Sequence, residues 1–259
     1  MISDTAFVGL RPTEDPAVWT LPVTPDLAGG RGQLFGGCGF GAAVEVLEHL
    51  VGRPAAWATA QFVSAARPPE VVRIEAASVA TGRSFTQARV TGTVDDRPFL
   101  SVLAALGQRP SDVEVRSLSM PEVGGPDDSE AHGFDPGESN LITRLDCRMA
   151  RPGGADILAD GTSCYWVRPD GMAAGSTIAL TIVADLVPLA LSDTIGRPMF
   201  GSSLDNTMRF TSRSTDEWVL AEMQVETIVD GVGHVGTRLW SPDGTLLATG
   251  AQTCAVSPR

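Results

Sequence analysis

Between Gly201 and Ala255 the chain alternates short apolar runs with turn residues. SLDNTMRF, WVLAEMQVETIV, HVGTRLW and TLLATGAQTCAV are broken by DG, GVG and SPDG. Partial period-two alternation interrupted in this way predicts four consecutive strands of an antiparallel meander. Three polar side chains stand out on these otherwise buried-looking segments: Asp205, Thr227 and Gln252. A carboxylate, a hydroxyl and an amide on three strands of one sheet can meet at a point and together hydrogen-bond a single water.

The first half reads in a similar order. AFVGL and AVWTL are expected as short strands, followed by the glycine-rich approach PDLAGGRGQLFGG. From Phe40 to Val51, apolar residues at Phe40, Ala43, Val44, Leu47, Leu50 and Val51 recur at helical spacing, and Gly52 then Pro54 stop the element. Four strand-like segments follow: AWATAQFVSA, VVRIEAASVA, SFTQARVTGTV and PFLSVLAALG. Residues 111–138, rich in Pro, Gly, Ser and acid and without a sustained period, read as a linker between a repeat over 1–110 and another over 139–259. In that second repeat LITRLDCRM and SCYWVRP are expected as strands and Thr177 to about Leu191 as a helix. Pro188 should kink or end it. An offset of 149 positions sets Gly82 and Arg89 against Gly231 and Arg238, Ser78 against Thr227 and Leu103 against Gln252.

Composition narrows the function. With 259 residues, 43% of them apolar, the chain can bury one large core or two fused ones. A formal net charge of −12 argues against nucleic acid and against an anionic membrane surface, both of which need clustered Lys and Arg. With no run of about eighteen apolar residues and no leader pattern at MISDTAFVGL, a cytoplasmic location is expected. Cys38, Cys147, Cys164 and Cys254 are widely spaced and no His pattern accompanies them, so buried free thiols are expected and no metal is called for. No G-x-S-x-G elbow is present, which speaks against a Ser-His-Asp hydrolase.

The order FGG at Phe35–Gly37, SMPEV at Ser119–Val123, YWVRPDG from Tyr165, SLDN-x-M-x-F, VET and a terminal A-x-Q resembles the acyl-CoA thioesterase II family. That resemblance covers most of the chain. It implies an α+β double hotdog, two fused repeats whose continuous curved antiparallel sheet wraps two central helices. It also implies hydrolysis of an acyl-CoA to free acid and CoA, with no cofactor beyond the CoA of the substrate, and a homo-oligomer. An Asp, a Thr or Ser and a Gln hold the attacking water in that family, and by position these are expected to be Asp205, Thr227 and Gln252. The amides of Gly36, Gly37 and Cys38, at the start of the central helix, are the expected oxyanion donors. Arg31, Arg67, Arg209, Arg213 and Arg238 are candidates for the CoA phosphates. Where many members carry His and Trp after SLD, this chain has Asn206 and Arg209. Two further readings stay open: an acyl-CoA-binding paralogue with little catalysis, and a hydratase or dehydratase of the same fold, although the Asp/His segment of the latter has no match.

Overall fold

A computed structural model describes residues 4–132, 140–150 and 160–258. Helix α1 (Asp4–Val8) opens the chain, followed by strands β1 (Arg11–Pro12) and β2 (Val18–Pro22) and the long helix α2 (Gly36–Val51). Strands β3 (Ala55–Phe62), β4 (Val71–Thr81), β5 (Phe85–Val94) and β6 (Arg97–Gly107) complete the first half. Next come β7 (Glu130–Ala131), β8 (Leu145–Met149), β9 (Thr162–Pro169), α3 (Thr177–Ala184) and α4 (Val187–Ile195). The meander β10 (Met199–Phe210), β11 (Val219–Val229), β12 (Val232–Trp240) and β13 (Leu246–Pro258) ends the chain.

All these strands join one antiparallel sheet of 13, ordered β1-β2-β4-β5-β6-β3-β10-β13-β12-β11-β9-β8-β7. The halves meet at β3 and β10, where Thr59 pairs with Thr207 and their hydroxyls hydrogen-bond at 2.7 Å. Alternation along the strands turns one face of the sheet inward, as with Val72, Ile74 and Ala76 of β4, and that face curves around the helices. This is the double hotdog, and its physical cause is visible in α2. That helix is apolar over most of its circumference, Glu45, Glu48 and His49 apart, so most of it must be enclosed. It lies against α3 at near-backbone distance: a β-carbon at Gly37 would stand 2.5 Å from the Thr181 carbonyl oxygen, and one at Gly41 2.3 Å from Thr181 Oγ1. Only glycine allows that approach.

Three β-bulges recur in both halves: at Ala56 and Leu204, at Val79 and Glu226, and at Phe99 and Leu247. Strand register therefore fixes the internal repeat at 147 to 148 positions, not 149. Gln252 corresponds to Ala104, which is buried like it, rather than to the exposed Leu103. Thr227 corresponds to Ala80 and not to Ser78. A one-residue slip matters because it exchanges the two faces of a sheet.

Other sequence expectations are corrected locally. AFVGL lies mostly in helix α1, since a short apolar run does not discriminate helix from strand. LITR forms a 3-10 turn, with Asn140 accepting the Ile142 amide, before β8 begins. The expected helix from Thr177 is two helices, broken at Asp185 and Leu186, because Pro188 in the first turn of α4 has no N–H to give to a preceding carbonyl. Thr177–Ile195 taken as a whole is long and apolar enough to cross a membrane, but 72% of it is buried inside the protein. Part of the inter-repeat segment packs on the second half: Met120 and Val123 lie against Trp166, Leu220 and Trp240, and Gly124 O accepts from Trp166 Nε1 at 2.8 Å, while residues 111–119 are exposed.

Candidate active site

The break between α3 and α4 places a carboxylate at the centre of the molecule. Asp185 is 3% exposed and caps the end of α3. Its Oδ1 accepts from Gln252 Nε2 at 2.7 Å and from Ser203 Oγ at 3.0 Å. Oδ2 accepts the Gly37 amide at 2.8 Å. Gln252 Nε2 also lies 2.7 Å from Ser203 Oγ, and Asn206 Nδ2 donates to Gln252 Oε1 at 2.8 Å, which turns the Gln252 N–H groups toward Asp185. Every side chain of this network is buried or half-buried and has a partner, so the arrangement is fixed before any ligand arrives.

The two helix starts explain why the carboxylate sits there. Helix α3 is capped by its own Ser176, whose hydroxyl accepts the Ala179 amide. Helix α2 has Phe35 at the capping position and no side-chain cap, so its first amides look outward with the positive end of the helix. Asp185 takes the place of the cap. Gly36 is required at this point, because a β-carbon would come within 2.8 Å of Asp185 Oδ2. Burial pushes the Asp185 carboxyl up to about 6, the bonds from Gln252, Gly37 and Ser203 working in the opposite direction.

A cleft of about 800 Å³ opens onto this network. Gly36, Asp185 and Ser203 form part of its wall; Phe35, Phe62, Leu186 and Leu189 give it apolar surface; Arg31 and Arg197 stand exposed at its rim. Arg31 is held by Ser202 and Ser257 and lies over the Phe200 ring at 4.6 Å.

Asp205, Thr227 and Gln252 are not brought together. The bulge at Leu204 adds a residue to β10, so Ser203 and Asn206, three apart, share the inner face and Asp205 is turned to the outer one. There its carboxylate accepts the Thr253 amide at 2.9 Å. Thr227 is exposed on β11, opposite His234 and separated from β10 by two strands. Gln252 alone of the three points into the core. Of the helix-start amides, Gly37 donates to Asp185, Cys38 bonds the Phe35 carbonyl at 3.0 Å, and Gly36 N–H has no protein acceptor among the described residues. Among the arginines, Arg213 pairs with Glu48 and Arg238 with Glu222, Arg67 bonds the Arg31 carbonyl, and Arg209 is exposed on the outer face. Cys38 and Cys254 are buried, and burial drives both thiols away from the thiolate, Cys254 to about 11.

Asp185 and Ser203 were not singled out from the sequence, although both left a signal. Pro188 marks a helix break, and a lone acid in the apolar run TIVADLVPLA must be buried with donors or lie at such a break.

A double hotdog with a buried carboxylate between a helix start and two strands is thus the class that fold and site define. A family model described as the acyl-CoA thioesterase C-terminal domain matches residues 121–256. A protein of Novosphingobium aromaticivorans provisionally described as a thioesterase is 31% identical, with a TM-score of 0.87 over 95% of this chain and 97% of that one. The chain belongs to the acyl-CoA thioesterase family. Its fold is shared with a hot dog protein of unknown function from Alicyclobacillus acidocaldarius (21% identity, TM-score 0.87, 100% and 99% covered). The same holds for an acyl-CoA thioesterase II from Mycobacterium marinum (18% identity, TM-score 0.75, 99% of each chain). No curated protein matches the chain significantly.

Proposed function

We propose that the protein hydrolyses acyl-CoA thioesters, with Asp185 as general base and Ser203 and Gln252 orienting the water. The observation that carries this reading is the buried Asp185 carboxylate, held by three donors at the wall of an apolar cleft whose rim carries two arginines. Apolar walls suit an acyl chain, and rim arginines suit phosphates that cannot be desolvated cheaply. Asp185 takes a proton from water as the water oxygen attacks the thioester carbon; the tetrahedral intermediate then collapses, the C–S bond breaks, and the thiolate recovers the proton from Asp185. The Gly36 amide at the positive end of α2 is the donor for the oxyanion. A carboxyl near 6 is a better base at neutral pH than an ordinary one near 4 and is still mostly ionised there.

The test is thiol release from a series of saturated acyl-CoAs by the wild-type protein and by Asp185→Asn. Turnover that is lost in the folded variant supports the reading. Turnover that survives in it moves the chemistry elsewhere.

A further inference from the structure

A second polar cluster lies in the same cleft, and the water chemistry makes no use of it. Tyr165 of β9 is fully buried and its hydroxyl donates a short hydrogen bond to Asp193 Oδ2. His132 Nε2 is 3.5 Å from the same oxygen, and its ring meets the Tyr165 ring edge-on at 5.7 Å. His132 and Asp193 both line the cleft, their side chains 13% and 19% exposed. Both contacts of the carboxylate fall on Oδ2, which leaves Oδ1 without a protein partner among the described residues.

Such a cluster is costly against a plain hydrocarbon. A carboxylate in contact with an alkyl chain loses water and gains no hydrogen bond in return. The cleft runs along α4, past Leu186, Leu189 and Ser192, from Asp185 to Asp193. Beyond the break at Asp185 and Leu186, six residues of α4 rise separate Val187 from Asp193 by roughly 9 Å. An extended chain advances ~1.2 Å per bond, so a chain whose carbonyl sits at Asp185 reaches the cluster after about eight to ten bonds. The nucleotide end of a CoA ester, with its several charges, belongs at the rim beside Arg31. That leaves the half-buried end of the cleft to the acyl group.

We infer that Asp193, positioned by Tyr165 and His132, is a specificity-determining acceptor for a hydroxyl carried far along the acyl chain, so that the preferred substrate is a hydroxylated acyl-CoA rather than a saturated one. This inference rests on the proposed thioesterase reading. A hydroxyl at that distance donates to Asp193 Oδ1 and replaces the water that a hydrocarbon would strip away. The discrimination follows from leaving a half-buried acceptor unmet, an arrangement that selects strongly against the analogue lacking the hydroxyl.

The experiment compares kcat/KM for decanoyl-CoA and 10-hydroxydecanoyl-CoA, and for the same acyl groups on N-acetylcysteamine, which lacks most of the pantetheine arm. Wild type should favour the hydroxylated chain by tenfold or more on both carriers. The double variant Tyr165→Phe/Asp193→Leu removes both partners and leaves no orphaned hydroxyl; it should lose that advantage and still turn over decanoyl-CoA. A wild-type protein that treats the two chains alike, or favours the saturated one, overturns the inference, and this arm needs no variant to fold. A double variant that loses all CoA esters equally but keeps the N-acetylcysteamine esters assigns the cluster to the pantetheine arm, which also overturns it. Absence of turnover on every ester by wild type fails the thioesterase reading instead, and the two failures are thereby distinguished.

Discussion

Each half of the molecule presents a carboxylate to the start of the other half's helix, and only one of the two is set in a cleft. In the second half Asp185, at the end of α3, accepts from the first turn of α2 and from Ser203 of β10. In the first half Glu48, near the end of α2, accepts from Thr177 Oγ1 at the start of α3 and from the Ala55 amide of β3. Ala55 is the register counterpart of Ser203, Ala58 of Asn206 and Ala104 of Gln252. Glu48 also receives Arg213 at 2.6 Å, so its charge is answered by a neighbouring cation. Among the described residues Asp185 has no such cation and is held by neutral donors alone. The lesson is that a carboxylate at a helix start serves structure when a cation completes it. It becomes a candidate base when neutral donors hold it in a dry wall beside open space.

The largest effect expected from this contrast is on turnover. Asp185→Asn should lower kcat/KM by about 10²–10⁴-fold, the usual contribution of general-base catalysis. Glu48→Gln should leave kcat unchanged and cost about 1 kcal/mol of stability through the weakened ion pair. Steady-state assays beside denaturant melts check both; a loss of turnover in Glu48→Gln as deep as that in Asp185→Asn would dissolve the distinction between the halves.

Next in size are the donors. Ser203→Ala and Gln252→Ala each remove a hydrogen bond to a charged group, worth about 1.5–3 kcal/mol. Each should therefore lower kcat/KM about 10- to 100-fold, and neither should add fully to Asp185→Asn, since all act on one water. Additive losses in a double-mutant cycle would place them outside the same step.

Asp185 should also destabilise the fold where it is ionised. Its carboxyl is raised by burial from 3.8 to about 6. Between those values the folded state holds a proton that the unfolded state has lost, so stability rises as pH falls through 6. From pH 7.5 to 4.5, wild type should gain about 2 kcal/mol relative to Asp185→Asn, at 1.36 kcal/mol per unit. Chemical denaturation of both proteins at the two pH values reads this directly, and a difference that does not change with pH would deny the raised carboxyl. The smallest effect is at the junction of the halves. Thr59→Val/Thr207→Val removes the hydroxyl pair between β3 and β10 and should cost about 1 kcal/mol with activity intact.

Much of this architecture was legible in the residues. The turns DG, GVG and SPDG mark the second-half strands, and the apolar stretch ending at Gly52 marks the central helix. The site was legible only in part, for a reason that lies in sheet geometry. In SLDN the conspicuous residue is Asp205, yet the bulge at Leu204 turns it outward and turns the plain Ser203 and Asn206 inward. A bulge cannot be read from period-two alternation, because it is the place where that alternation fails. Asp185 was hidden differently: inside an apolar helical run it resembled a local flaw, and its role appears only once Pro188 has broken the run beside the start of α2.

The central claim is that a buried Asp185, and not the outward Asp205, is the base. The pH dependence of kcat/KM in wild type and in Asp205→Asn tests it most directly. Activity is predicted to fall on the acid side with a single ionisation near 6, at the same pH in both proteins. An acid limb near 4, the ordinary carboxylate value, or one that disappears in Asp205→Asn, would contradict it.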